Sequence, residues 1–240
     1  MARRSTPAPR LDPDIARVAG VLADPSRVAM LDALLDGRAH AIGALARHAG
    51  ITAATASGHL RRLVDEHLVT VDRDGRSRRV RLASPAVAQL LEALAALTAP
   101  PAATYATSAT SSSRARELRF ARTCYDHLAG VVGVRITGAL LARRWLRARD
   151  DSFVPAPALL AWLASHGRAV DDDPQIRRPL SRACLDWSER TPHLAGRLGA
   201  ALADVALTNH WLVRARDSRA LRLTTRGRAA LSRELALSFA

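Results

Sequence analysis

The sequence contains no lysine; all 36 of its basic residues are arginine. With its abundant alanine, that bias reads as GC-rich coding rather than a functional choice. Cysteine is nearly absent: Cys124 and Cys184 are too few for a disulfide scaffold and form no close CxxC pair. No aromatic residue precedes Tyr105, so all nine lie in the later part of the chain. No apolar run approaches the ~18 residues of a membrane span, and the N-terminus has no apolar signal-peptide core, so the expected location is the cytoplasm with no membrane partner. A Gly-rich phosphate loop, a nucleophile elbow and an H-E-x-x-H pair are all missing, which argues against an enzyme.

What is present is length for two ordinary domains, 240 residues, and a net charge of +14 that suggests a polyanionic partner. The charge is uneven. Residues 1–98 carry 14 Arg and 10 acids, whereas residues 99–240 carry 22 Arg and 12 acids. Net charge alone therefore does not locate a nucleic-acid site; clustering does.

The cluster lies in IGALARHAGITAATASGHLRRLVDEHLV, residues 42–69. Ile42, Leu45 and Ala46 share one face of a short helix, Gly50 supplies a turn, and Thr52 is an N-cap for a second helix. In the second helix Ala56, Leu60, Leu63, Val64 and His67 recur at helical spacing and are expected to face the core. The opposite face carries Thr55, Ser57, Gly58, His59, Arg61 and Arg62, side chains suited to base edges and phosphates in a major groove. Val69 and Val71 then alternate against Val80 and Leu82 around Asp74-Gly75, a hairpin signal. Arg73, Arg76, Arg78 and Arg79 on that hairpin make it a basic wing able to hold phosphate.

Residues 12–98 resemble the ArsR family of winged helix-turn-helix repressors. The matching pieces are LADPSRVAMLDALLDG, the helix-turn-helix above, VDRDGRSRRVRLA, and a closing apolar helix. The resemblance implies a bacterial transcription factor that dimerises through its first and last helices and leaves DNA when an effector binds. Metal-sensing relatives place a CVC motif before the recognition helix or acid and His ligands on the last helix. Here those positions read GALARH and AVAQLLEALAAL, so the resemblance brings no metal site with it.

In chain order, residues 1–11 read as a disordered arm, 12–98 as the DNA-binding and dimerisation domain, 99–113 as an uncharged Ala/Ser/Thr/Pro linker, and 114–240 as a sensor or regulatory domain. Ile15, Val18, Ala19 and Leu22 mark a first helix. Asp24-Pro25 starts a second, with Val28, Leu31, Leu34 and Leu35 inward and Gly37 at its end. Val87, Leu90, Leu91, Leu94 and Leu97 form an apolar stripe that suits either a dimer seam or packing onto the second domain. The C-terminal part contains an internal repeat: HLAGVVGVRITGALLARRWL from His127 aligns with HLAGRLGAALADVALTNHWL from His193, and Arg122-Thr-Cys-Tyr-Asp126 aligns with Arg182-Ala-Cys-Leu-Asp186. The expected fold is mainly α with small β-hairpin wings: a winged helix-turn-helix followed by a helix-rich domain of two winged-helix-like repeats.

Two effector chemistries are legible. Cys124 and His127, spaced i, i+3, would share a helix face, and a helix is expected to restart at Thr191-Pro192. If the repeats pack about a pseudo-two-fold axis, Cys124, His127, Cys184 and His193 converge into a soft-metal set. The competing reading is that duplication copied a buried Cys and a helix-capping His. Tyr125, Trp162 and Trp187 are candidates for an organic-ligand pocket, with Trp145 and Trp211 as core. The function expected is a sequence-specific, homodimeric repressor of double-stranded operator DNA, released by a small organic molecule or a metal or thiol signal. Two other readings fit less of the chain. One is a nucleoid-type DNA coater whose second domain binds protein or more DNA. The other is an enzyme fused to a DNA-binding module, with Cys124 or Cys184 activated by His127 or His193.

Overall fold

A computed structural model describes residues 14–74, 77–98, 113–173, 175–216 and 218–239. The N-terminal arm, the linker up to residue 112, Tyr105, and Gly75 and Arg76 at the hairpin tip lie outside the described residues, as does the side chain of Arg73. The remainder is mainly helical, with short antiparallel strand pairs.

The first part begins with α1 (Ile15–Leu22) and α2 (Pro25–Leu34). Asp24 caps α2 by accepting from the Ser26 and Arg27 amides, and Pro25 occupies its first turn, where a missing N–H costs nothing. There follow β1 (His40–Ala41), α3 (Ile42–Ala49) and α4 (Ala53–Asp65), with Gly50 turning at φ +66° between the two helices. β2 (Val69–Asp74) and β3 (Ser77–Leu82) form the wing, with Val69 opposite Leu82 and Val71 opposite Val80. β1 adds to the free edge of β3, and α5 (Pro85–Thr98) closes the unit. Met30, Leu31, Leu34, Leu45, Leu63 and Val80 make its core.

Three residues expected in this core are outside it. Helix α4 ends at Asp65, and His67 sits exposed in the following turn at φ +54°. Val64 and Val28 are also exposed. The pattern ran one turn too far for α4, and Val28 belongs to the outward face of α2.

After α6 (Ser113–Phe120) the chain runs twice through one sequence of elements. The first pass is β4 (Arg122–Cys124), β5 (His127–Ala129), α7 (Gly130–Ala142), β6 (Leu146–Arg149), β7 (Ser152–Pro155) and α8 (Pro157–Ser165). The second is β8 (Arg182–Leu185), β9 (Pro192–Ala195), α9 (Gly196–Thr208), β10 (Leu212–Arg214), β11 (Leu221–Leu223) and α10 (Thr225–Leu235). Each pass is hairpin, helix, hairpin, helix. The repeated Gly has one job in both copies: a Cβ at Gly133 or Gly199 would collide with the carbonyl of Leu128 or Leu194, where the helix crosses its own hairpin. Val132, Ile136, Leu140, Leu198, Leu202, Val205 and Trp211 fill a second core shared by the two passes.

The two passes are joined by a fully buried ion pair. Arg122 Nη2 donates to Asp186 Oδ2 at 3.0 Å, with both side chains 0% exposed. Asp186 also accepts from the amides of Gly130, Ser188 and Glu189 and from the Ser188 hydroxyl. Burial alone would raise the Asp186 pKa, but the charges of Arg122 and His193 and these hydrogen bonds hold it at about 2, against an ordinary 3.8.

Asp186→Asn leaves Arg122 buried without its counter-charge and is expected to cost about 3–5 kcal/mol of unfolding free energy, measured by urea denaturation. In the parent chain the Asp186 contribution is complete above pH 3.8 and is lost as pH falls through about 2, because the folded-state pKa is the lower one. Denaturation midpoints that fall less steeply across that range in the variant would confirm the assignment; parallel profiles would refute it.

Candidate functional site

The outer face of α4 is built by what its inner face must do. Ala56, Leu60 and Leu63 are buried against the core, which forces Thr55, Ser57, Arg61 and Arg62 outward into solvent, with Gly58 and His59 at the margin. Thr52 caps the helix by accepting from the Thr55 amide at 3.1 Å. Thr55, Gly58, His59, Arg61 and Arg62 border a surface cleft of about 580 Å³, together with Asp24 and Arg27. Sequence reasoning missed Arg27. It is buried, and its guanidinium donates to the carbonyls of Val21 (2.6 Å) and Gly20 (3.1 Å) while pairing with Asp24 at 3.3 Å. Arg27 also lies 3.4 Å from His59 Nδ1 and so ties α4 to the α1–α2 corner.

On the wing, Arg78 and Arg79 are exposed on β3, whose partner strand β2 contacts α4. Arg81 pairs with Asp72 at 3.0 Å, which spends part of its charge within the wing.

A second cluster lies at the meeting of the two repeats. Cys124, His127, Cys184 and His193 are all buried, and their potential ligand atoms lie within 4.8 Å of one another. The route to this convergence differs from the one expected. Cys124 and His127 do not share a helix; they are cross-strand partners in the β4–β5 hairpin, with Tyr125 in its turn at φ +62°. Cys184 and His193 pair in the same way across β8–β9, so Thr191-Pro192 leads into a strand rather than a helix. Two of the contacts across the junction join repeat equivalents. The two sulfurs are 3.8 Å apart, and the two imidazoles stack with centroids 5.1 Å apart.

The cluster shares its charge unequally. The hydrogen bond from Cys124 lowers the Cys184 thiol strongly against burial, with help from His127 and His193. The same hydrogen bond, with burial, pushes Cys124 up. Burial opposes protonation of His127, but the Asp126 hydrogen bond and the nearby Cys184 sulfur outweigh that, and its pKa is raised.

The three aromatics expected to line one pocket are not brought together. Trp162 is buried in the second core, packed against Trp145, Trp211 and His166, with its indole N–H donating to Glu234 at 3.2 Å. Trp187 lies half-buried under the Arg122 guanidinium, 4.3 Å from ring centroid to carbon. Tyr125 alone borders a cavity, of about 310 Å³, which also reaches Cys124, His127 and Cys184.

The winged-helix part and the repeats are clamped directly. The Tyr125 amide donates to Leu35 O at 2.7 Å. Arg219, buried, reaches Glu92 of α5 at 2.6 Å, Asp32 of α2 at 3.1 Å and the Thr123 carbonyl at 3.3 Å. Burial opposes the charge of Asp32, yet Arg219 and His48 bring its pKa down to about 2. Glu92 sits within the α5 apolar stripe, and its partner is 127 residues away, so periodicity held no signal for it.

Comparison with known proteins settles the family. A helix-turn-helix domain model matches residues 22–72. The uncharacterized HTH-type transcriptional regulator YdfF of Bacillus subtilis is 40% identical over 225 residues, 94% of this chain and 98% of its own. The chain belongs to the HTH-type transcriptional regulators. This regulator carries an additional C-terminal portion beyond the matched helix-turn-helix. The HTH-type transcriptional regulator CmtR of Mycobacterium tuberculosis is 42% identical over 77 residues, 32% of this chain and 64% of that one. Among solved structures, the homodimeric winged helix-turn-helix DNA-binding domain of Mb0332 from Mycobacterium bovis is 31% identical, covering 38% of this chain and 88% of that one at a TM-score of 0.33.

The exposed face of α4 generates a test. Arg61→Ala or Arg62→Ala is expected to weaken binding to a specific duplex by about 1–3 kcal/mol while barely changing affinity for random DNA. Arg78→Ala or Arg79→Ala should weaken both kinds of binding and flatten the salt dependence. Salt titrations by fluorescence anisotropy separate the two; parent-like affinity in all four variants would remove α4 and the wing from the interface.

Proposed function

We propose that this regulator is a sequence-specific, homodimeric DNA-binding repressor, released from its operator by an effector taken up in the C-terminal part. The observation that carries the reading is the solvent-facing, uncommitted surface of α4, set beside a basic wing. Thr55, Ser57, Gly58, His59, Arg61 and Arg62 read bases and phosphates, and Arg73, Arg76, Arg78 and Arg79 grip the backbone.

The second copy docks on the apolar face of α1 and α5. Ile15, 77% exposed, lines a groove of about 1090 Å³ with Val18, Val28, Leu90 and Leu94, and Leu97 on the same helix as the last two is 82% exposed. A monomer rarely leaves such a patch in water. Pairing these faces about a two-fold axis presents two α4 helices to half-sites about one helical turn of DNA apart. Selection of duplexes from a random library with the full chain is expected to return a two-fold symmetric motif. Equal retention of all sequences would instead favour a DNA coater.

Leu94→Asp tests the seam. The carboxylate is solvated in a single chain but would be desolvated in the dimer. Light scattering is expected to give a dimer for the parent and a monomer for the variant, with unchanged circular dichroism. A dimeric variant would move the seam elsewhere.

A further inference from the structure

We propose that Cys124, His127, Cys184 and His193 hold one soft or borderline divalent cation of the Zn²⁺ class in a closed four-ligand site between the two repeats, and that its occupancy sets the DNA affinity of the winged helix. The second half of this statement rests on the regulator reading above; the first does not.

The geometry is that of a tetrahedral centre. Two thiolates bound to one zinc at about 2.3 Å stand about 3.8 Å apart. The Cys124 and Cys184 sulfurs are 3.8 Å apart, and all four donor atoms fall within a 4.8 Å span. Nε2 of His127 and both ring nitrogens of His193 are buried without a hydrogen-bond partner. Orphaned buried nitrogens are costly, and a bound cation satisfies one on each ring. The atoms around the ligands are also in place. His127 Nδ1 faces Asp126 at 3.3 Å, and His193 Nδ1 faces Asp186 at 3.8 Å. The Asp126 hydrogen bond orients the His127 ring and leaves its Nε2 for the metal, and Asp186 stands near enough to His193 to take the same part once the ring is bound. Asp126 and Asp186 are themselves repeat equivalents, held in turn by Arg178 at 2.5 Å and Arg122 at 3.0 Å. Each repeat therefore supplies half a site: one thiol, one imidazole and one orienting carboxylate.

Two thiolates and two imidazoles favour zinc-like ions over magnesium or calcium, and two thiolates neutralise the ion's charge in a buried setting. Four protein ligands leave no open position, which marks the site as conformational rather than catalytic. Entry is through the cavity that Tyr125 borders. The next residues along the hairpin reach the winged helix. Thr123 O accepts from Arg219, which holds α2 and α5, and the Tyr125 amide binds the end of α2. A cation that fixes Cys124 and His127 fixes the segment through which both contacts are made.

The test uses the full chain, reduced and stripped of metal, titrated with Co²⁺ without oxygen. One equivalent is expected to give intense tetrahedral ligand-field bands and a thiolate charge-transfer band, both removed by Zn²⁺. Cys184→Ser and His193→Asn should each lose or shift these bands, while His166→Gln, outside the cluster, keeps them. Circular dichroism identifies any variant that fails to fold, and for such a variant Cys124→Ser replaces it. Weak octahedral bands in the parent, or parent bands in Cys124→Ser/Cys184→Ser, overturn the site. On a duplex from the library selection, zinc-loaded and zinc-free protein are expected to differ in affinity tenfold or more. Equal affinities overturn the control of DNA binding. Failure to bind any duplex in either state overturns the regulator reading and with it the coupling, while the cobalt titration still decides the site.

Discussion

The C-terminal part depends on one buried charge pair, Arg122 with Asp186. Taking both ions out of water costs several kcal/mol each, and the cost is offset by their mutual charge and by the hydrogen bonds around them, with Arg122 Nε alone of the guanidinium nitrogens left without a partner. Asp186 accepts from three amides, a hydroxyl and the guanidinium, while Arg122 also donates to Ser188 and the Leu118 carbonyl. These bonds hold the second hairpin on the first and help to place Cys184 and His193 opposite their equivalents, with Asp186 itself 3.8 Å from His193 Nδ1.

The absence of lysine acquires a structural meaning here. Arg27, Arg122 and Arg219 are buried, and each spreads its donors over several partners: carbonyls for Arg27, carboxylate and hydroxyl for Arg122, two carboxylates from different helices for Arg219. A planar fork can do this, whereas an ammonium is a compact point charge that is harder to strip of water. Whatever set the codon bias, the fold exploits the guanidinium wherever two segments far apart in sequence must be joined.

The winged helix was legible because its signals are local. Thr52, Gly50 and the alternating wing valines act within a few residues, and the apolar spacing of α4 exposes the polar face by elimination. The repeat was legible as self-similarity, and it predicted the convergence of Cys124, His127, Cys184 and His193. Their local structure was not. An i, i+3 pair on a helix and a cross-strand pair across a two-residue turn both bring side chains together, and Tyr125 at φ +62° lacks the Asn-Gly signature that announces such a turn. Glu92 and Arg219 were illegible for a different reason: a buried acid in an apolar stripe is explained only by a partner that topology supplies. Trp162 was misplaced because burying a large indole in a core and lining a cavity make the same demand on composition.

The duplication has a consequence for how the molecule responds to its own abundance. A site assembled from two halves on separate chains forms only when those chains meet, so its population rises with protein concentration. Here both halves sit on one chain, held at a fixed effective concentration by the segment between them. The Cys–His cluster is therefore complete in a single molecule at any dilution, whereas the proposed pairing of the α1 and α5 faces between two copies is not. The molecule contains one symmetric junction that cannot dissociate and another that can. As its amount in solution varies, the second changes occupancy while the first stays constant.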